Sequence, residues 1–325
     1  MSKSNNAGND ISLEDAICDF CGKPSWSLSL ERGDGLRVVE CDGCGLAYLN
    51  PRSPENFLAI RYETDYAIEN LDDNWSDYLA FRPADDAIRR IKRQRGLEGI
   101  TALDVGCGQG FFLHALRRAG AGHIVGIDPS REKIKYDSGK LPEAELIAGR
   151  FEDLGVLAPG IRPSSFDLLA AIDLIEHLYA PGRFFEFAAQ YLKPGGLLYL
   201  ETPNWGAARK YGSNWEGLNR DYEHVHYFTA ATLSMYLAKH GFTPRSFDYK
   251  PVAAGLGSTR CLASEKVNRP GKDFVQSVRR MVKGTPGINK EVYRILQLSR
   301  RLRNYSDIKN ATAHSIIVTA AKESD

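Results

Sequence analysis

The chain has 325 residues, more than the roughly 100–200 of one typical domain, so it accommodates a large domain with an appendage or two domains. A hydrophobic fraction of 43% beside 26% charged residues is enough apolar surface for a core and excludes global disorder. With 42 Lys and Arg against 41 Asp and Glu, the charge lacks the lopsidedness usual in a whole-chain binder of polyanions, although a neutral total leaves room for a local basic face.

The opening residues, MSKSNNAGND, are polar and hold no apolar signal-peptide core. No stretch approaches the roughly 18 apolar residues of a membrane span, and the run from Phe166 to Leu178 is interrupted by Asp173, Glu176 and His177. Six cysteines in such a chain are not a disulfide framework. The expectation is a soluble, cytoplasmic protein with no membrane partner.

Four of the cysteines form two pairs, Cys18-Asp19-Phe20-Cys21 and Cys41-Asp42-Gly43-Cys44, with nineteen residues between them. Thiolates two apart on a tight turn can grip one metal, and two such turns complete a tetrahedral shell. Gly22 and Gly45 follow the second cysteine of each turn, and Leu36–Glu40 reads as a short strand feeding the second. A closed four-thiolate shell leaves no open position, so structural Zn(2+) is the expected occupant; unconnected thiols or a redox pair is the competing reading. Residues 16–50 therefore read as a zinc ribbon, too small to build a core unaided, with the metal supplying folding energy. Cys107 and Cys261 stand alone.

Pro51 and Pro54 close the ribbon, and residues 51–98 read as a helical linker or lid rich in aromatics: Phe57, Tyr62, Tyr66, Trp75, Tyr78 and Phe81. Pro83 sits where a helix could begin, with Ala87, Ile88 and Ile91 at helical spacing.

From Gly99 onward strands and helices alternate. Strands are predicted at Ile100–Val105, His123–Asp128, Glu145–Ala148, Phe166–Ile172 and Leu197–Glu201, the last announced by the turn Lys193-Pro194-Gly195-Gly196. Helices are predicted at Phe111–Ala119, Arg131–Lys140, Phe184–Leu192 and Ala230–His240. Such repetition predicts a Rossmann-like α/β domain over 99–325, with a mostly parallel sheet covered on both faces. Phe242–Lys250 and Ser315–Ala320 read as two further strands that pair at the sheet's edge. Between them, at about 255–310, lies a helical basic insert, with eleven Lys or Arg against three acids in 265–305.

The most informative string is Leu103-Asp104-Val105-Gly106-Cys107-Gly108-Gln109-Gly110, which leaves a strand and opens a helix. Glycines there let a ligand approach the backbone, and the helix amides beyond point at its polar groups. Asp128, eighteen residues beyond Gly110, ends the second strand, where a carboxylate can hold two ribose hydroxyls. A nucleoside-like ligand follows. The spacing is G-x-G-x-G rather than the G-x-G-x-x-G of dinucleotide folds.

Asp104–Gly110, then Gly126-Ile127-Asp128, Phe166-Asp167-Leu168-Leu169 and Lys193–Gly196, in that order, resemble a class I S-adenosylmethionine-dependent methyltransferase over roughly 99–250 plus the final strand. The resemblance implies a seven-stranded sheet whose last strand is antiparallel. It implies that Asp104, Gly106, Gly108 and Gly110 surround the methionine moiety of S-adenosyl-L-methionine, that Asp128 binds its ribose, and that Pro129, Phe151 and Glu152 border its adenine. Cys107 packs in the loop.

Two further strings carry the acceptor side. Ile172-Asp173-Leu174-Ile175-Glu176-His177-Leu178 is similar to the E-x-x-E-H signature of ubiquinone-type O-methyltransferases, with Asp173 where that group has Glu; Asp173 and His177 either orient the loop and the cofactor or, with Glu176, recruit a cation. The segment Trp215 to Thr229 is crowded with aromatics and histidines. Its Tyr222-Glu223-His224 is similar to the acceptor site of nucleotide-sugar C-methyltransferases that carry an N-terminal zinc module. Thr229 reads as a helix N-cap, with Thr232 three residues on.

These residues predict methylation of a small-molecule acceptor, an O-methylation of a sugar-like or other biosynthetic intermediate. His224 is the first choice of base, tuned by Glu223, with Tyr222 positioning substrate and His177 and His226 in reserve. Two alternatives stand beside it: methylation of ribosomal or transfer RNA, which the basic insert favours and the near-neutral ribbon does not, and a non-catalytic cofactor-binding scaffold.

Overall fold

A computed structural model describes residues 12–32, 35–57, 78–218, 223–250 and 315–324. Most of the aromatic stretch after Phe57, Tyr222, Cys261 and the basic segment 265–305 lie outside the described residues.

The alternation from Gly99 builds a seven-stranded sheet of order β10-β11-β8-β7-β4-β5-β6. Its strands are β4 (Thr101–Val105), β5 (His123–Asp128), β6 (Glu145–Ala148), β7 (Phe166–Ile172), β8 (Leu192–Pro203), β10 (Phe242–Lys250) and β11 (Ser315–Lys322). β4 through β8 are parallel, and β11 slots antiparallel between β8 and β10. The two last strands thus do pair, with β10 at the edge. From β4 the chain winds outward to β5 and β6, then returns to β7 on β4's other side. That reversal opens a crevice beyond the carboxyl ends of β4 and β7.

The middle strands are largely apolar because both faces are covered. On one face Ala84, Ala87, Ile88 and Ile91 of α1 (Tyr78–Lys92) and Leu113 and Leu116 of α2 (Phe111–Arg118) pack on Ala102, Leu168 and Tyr199. The other face carries α4 (Pro181–Tyr191) and α6 (Ala230–Lys239), through Phe184, Phe185, Leu233 and Tyr236. Helix α3 (Arg131–Lys140) follows β5, its N-cap Ser130 accepting from the Lys133 amide. Pro83 lies inside α1 rather than starting it. The helix tolerates the missing amide because the apolar stripe just beyond it is anchored in the core. Helix α4 begins three residues before the predicted Phe184, with Pro181 at its first position. β8 also outruns its prediction: a register shift between Phe166 and Leu168 absorbs Lys193–Gly196 as a bulge. The cap at Thr229 is as predicted, each of Thr229 and Thr232 accepting from the other's amide.

The cysteine-bearing segment folds into β1 (Trp26–Glu31), β2 (Arg37–Cys41) and β3 (Ala47–Leu49), but its sheet does not stop at residue 50. A fourth strand, β9 (His226–Tyr227), pairs antiparallel with β3, joining Ala47 to Tyr227 and Tyr48 to His226. Cys18, Val39, Cys41, Leu46 and Tyr48 share one apolar cluster with Phe184, Phe185 and Tyr236. This supplies the core that forty residues could not build alone.

Candidate functional site

The crevice holds a cavity of about 480 Å³. Its floor is the glycine turn, where Gly106, Gly108 and Gly110 have φ of 73°, 55° and 69°, a region side chains rarely enter. A Cβ on Gly106 would also meet Leu174 Cδ1 at 3.0 Å. Asp128 anchors the turn: one carboxylate oxygen accepts from the Gly108 amide and the other from the Ser130 amide, both at 2.9 Å. Each oxygen keeps a second lone pair, and Asp128 lines the cavity.

Of the residues predicted around a cofactor, Gly106, Gly108, Asp128, Pro129, Phe151, Glu152 and Asp173 line the cavity. Asp104 and Gly110 are not among its lining residues. Asp104 is buried at the end of β4, where burial first, then the Asp128 and Asp137 carboxylates, push its pKa well above the usual range. Phe151 packs edge-on against Phe184 and Phe187, fixing its ring at the rim. Cys107 is buried, its thiol pKa raised by burial, so it packs rather than reacts.

Sequence reasoning missed several groups here. Arg52 enters the cavity wall from the end of the ribbon, its guanidinium 4.4 Å from the Tyr179 ring centre. Arg150 bridges Glu55 at 2.7 Å and Glu152 at 3.1 Å across the rim. Asp137 lies fully buried behind the glycine turn, 3.2 Å from where a Gly110 Cβ would stand, and neither of its oxygens has a hydrogen-bond partner. Its pKa is pushed up to about 7, by burial and then by Asp128. Its spacing from Ile134, three residues earlier on α3, was the available signal: both face inward. Arg52 left none, since its distance from the cavity in sequence is large.

Above the floor, Asp173 takes φ 50°, left-handed for a non-glycine residue, as its amide reaches the Glu201 carbonyl at 2.9 Å. The chain then makes a 3₁₀ turn, Ile175–His177. Glu176 is buried; one oxygen accepts from the Thr202 hydroxyl at 2.8 Å and the other has no hydrogen-bond partner. Burial, then Asp173, pushes its pKa well above the ordinary glutamate value. His177 lines the cavity, with Nε2 4.0 Å from Glu176.

All three histidines of this region donate Nδ1–H to a backbone carbonyl: His177 to Glu223 at 3.1 Å, His224 to Gly217 at 2.9 Å and His226 to Leu178 at 2.8 Å. Because a carbonyl only accepts, the neutral rings keep Nε2 as their basic nitrogen. The rings of His177 and His224 meet edge to face, and one ligand atom each from Glu176, His177 and His224 falls within 4.8 Å of the others. His224 is buried behind His177, and Glu223 reaches the pair through its carbonyl. His226 is fully buried, which lowers its pKa to about 4 and removes it from base chemistry near neutrality.

The four paired cysteines converge in space. Sγ of Cys18 lies 3.4 Å from that of Cys44, as does Cys21 from Cys41, and all four fall within 4.8 Å of one another. A four-thiolate zinc with bonds of about 2.3 Å spaces its sulfurs by about 3.8 Å. Mutual hydrogen bonding among the crowded sulfurs lowers Cys41 and Cys21 below the ordinary thiol value and raises Cys18 and Cys44 above it. Four sulfurs at this spacing are a donor set that fits a divalent cation.

Residues 76–246, just over half of the chain, match a family described as a methyltransferase domain. The ubiquinone biosynthesis O-methyltransferase of Thiobacillus denitrificans is 31% identical over 143 residues, covering 41% of this chain and 59% of that protein. The enzyme of the same description from Xylella fastidiosa is 38% identical over 120 residues, 35% of this chain and 46% of its own. The chain thus spans about half the length of the curated relatives it matches. Among solved structures, an S-adenosylmethionine-dependent methyltransferase from Archaeoglobus fulgidus is 19% identical with a TM-score of 0.48, covering 74% of this chain and 94% of that one. Among the described residues no helix is long and apolar enough to cross a membrane. With the sheet order, the glycine turn at its switch point and the family match in agreement, the chain belongs to the methyltransferase-domain family of class I S-adenosylmethionine-dependent enzymes.

Proposed function

We propose that this protein O-methylates a small biosynthetic intermediate in the cytoplasm, with S-adenosylmethionine as donor and a structural zinc in the ribbon. One observation carries the reading: the anchored glycine turn and His177 wall the same 480 Å³ cavity. When bound, the cofactor supplies a sulfonium methyl that is already activated. Asp128 holds its ribose hydroxyls, Pro129, Phe151 and Glu152 border the adenine, and the turn Gly106–Gly110, which follows the buried Asp104 of β4, cradles the methionine end.

The protein's remaining tasks are to align a hydroxyl and to accept one proton. His177 takes the proton on Nε2, the nitrogen left basic by the bond to Glu223. His224 buttresses the ring, and a carboxyl oxygen of Glu176 stands 4.0 Å from Nε2, facing the proton that His177 accepts. Tyr222, next to Glu223 in the chain, positions the acceptor. Cys18, Cys21, Cys41 and Cys44 hold the zinc, whose closed shell makes it structural.

Protein incubated with radiolabelled S-adenosylmethionine and a cell metabolite extract is expected to yield a labelled small molecule whose label survives as a methyl ether. Label appearing only in RNA would transfer the function to nucleic acid, the reading that the 265–305 charge favours. Cofactor binding with no labelled product would leave a scaffold.

A further inference from the structure

We infer that the cysteine ribbon is a positioning element of the acceptor site, holding both histidine loops in place through Asp19 and strand β3. The inference rests on the proposal that His177 accepts the proton and His224 buttresses its ring. Three kinds of contact support it.

The first comes from the Cys18–Cys21 turn. Asp19 Oδ2 accepts from the Gly182 amide at 2.9 Å and from the Tyr236 hydroxyl at 2.7 Å. Gly182 is the second residue of α4, and the helix's own N-cap position, Ala180, offers no side-chain cap. Asp19 therefore caps α4 from another part of the chain, at the helix end immediately after the loop that carries His177. Phe20 adds an edge-to-face contact with Tyr236 at 5.0 Å.

The second lies around the Cys41–Cys44 turn. β2 ends at Cys41 and β3 starts at Ala47, so the turn sets where β3 runs. β3 pairs with His226 and Tyr227, and the Leu49 amide donates to Val225 at 3.0 Å. A two-residue strand has no pattern of its own to hold register, and a slip of one residue would exchange the faces of its side chains. His224 is one residue before Val225. Arg32 reaches the Tyr227 hydroxyl at 3.1 Å and Glu40 accepts from Trp205 Nε1 at 2.8 Å, tightening the same seam.

The third joins the two loops to each other, so that moving one moves both. The Val225 amide donates to Glu176 at 2.9 Å, His177 Nδ1 to Glu223, and His226 Nδ1 to Leu178. By contrast, the hydrogen bonds that hold the glycine turn and Asp128 run between the turn, the end of β5 and Ser130 at the start of α3. Metal loss should therefore loosen the histidines while sparing most of the cofactor floor.

The experiment uses the full chain, with its metal and after chelation, and reads imidazole nitrogen spectra assigned by single-histidine substitution, S-adenosylhomocysteine binding and turnover. On chelation the His177 and His224 rings are expected to lose their fixed Nδ1–H form, with product binding changed by no more than about threefold and zinc restoring the spectra. Asp19→Ala, which keeps all four thiols, should shift the His177 signals with zinc still bound; this variant carries the test if the metal-free chain unfolds. Histidine spectra indifferent both to chelation and to Asp19→Ala would overturn the inference. Spectra that move while turnover stays unchanged would uphold the positioning and instead remove the histidines from the chemistry.

Discussion

His177 and His224 come from separate loops, yet their rings stand with centroids 4.7 Å apart and planes at 80°. Each is turned by a backbone carbonyl so that the same nitrogen, Nε2, stays basic. Only His177 of the two lines the cavity, and Glu176 lies within 4.0 Å of its Nε2. The division of labour between them is open to measurement.

If His177 accepts the proton, His177→Ala should lose roughly 100-fold to 10,000-fold in turnover at unchanged cofactor affinity. His224→Ala should lose less, because it removes a buttress rather than the accepting nitrogen. The reverse ranking, measured in initial rates at saturating cofactor, would make His224 the base. Equal, wild-type rates in both variants would point to an amine acceptor, which needs no base.

Asp128 serves both the ligand and the turn. Its loss removes charge-assisted contacts worth roughly 1.5–3 kcal/mol to a ligand, so Asp128→Ala should weaken S-adenosylmethionine binding about tenfold or more. It also strands the Gly108 and Ser130 amides, so the melting temperature should fall as well. Titration calorimetry returning the wild-type affinity would put the ribose elsewhere.

Asp137 gives a pH signature whose sign is unusual for a carboxyl. Its folded pKa, about 7, lies above the ordinary 3.8, so the fold favours the neutral acid. Its cost to stability is therefore absent below about pH 4, grows as pH rises to about 7, and is constant beyond. Asp137→Asn keeps the shape without the charge, and should be stabilising by about 2–4 kcal/mol at pH 8 and nearly neutral at pH 4. Urea melts of both proteins across that range test it; a gap that does not widen with pH refutes it.

Freshly purified protein should carry one zinc per chain, and Cys41→Ser should lose it. Since the ribbon shares its apolar cluster with α4 and α6, the variant should melt in one transition at a lower temperature. A scan in which the first fifty residues melt separately from an unshifted main transition would mean that the shared cluster does not couple them.

The parts of this protein written in local pattern were legible in the sequence. β5, β6, β7 and β10 run as their period and turn residues predict. The turn at Gly106–Gly110, the carboxylate ending β5 and the paired cysteines were legible because each rests on spacings of a few residues, where backbone sterics and ligand geometry act directly. Tertiary structure alone decided that His226 and Tyr227 complete the ribbon's sheet, that Asp19 caps α4 from far along the chain, and which histidine meets the cavity. A two-residue strand has no periodicity to read. A cap supplied from another part of the chain leaves no mark near its helix, and a ring's exposure depends on what the rest of the chain packs behind it. Such choices are settled by long-range packing, which pairs surfaces that no local spacing brings together.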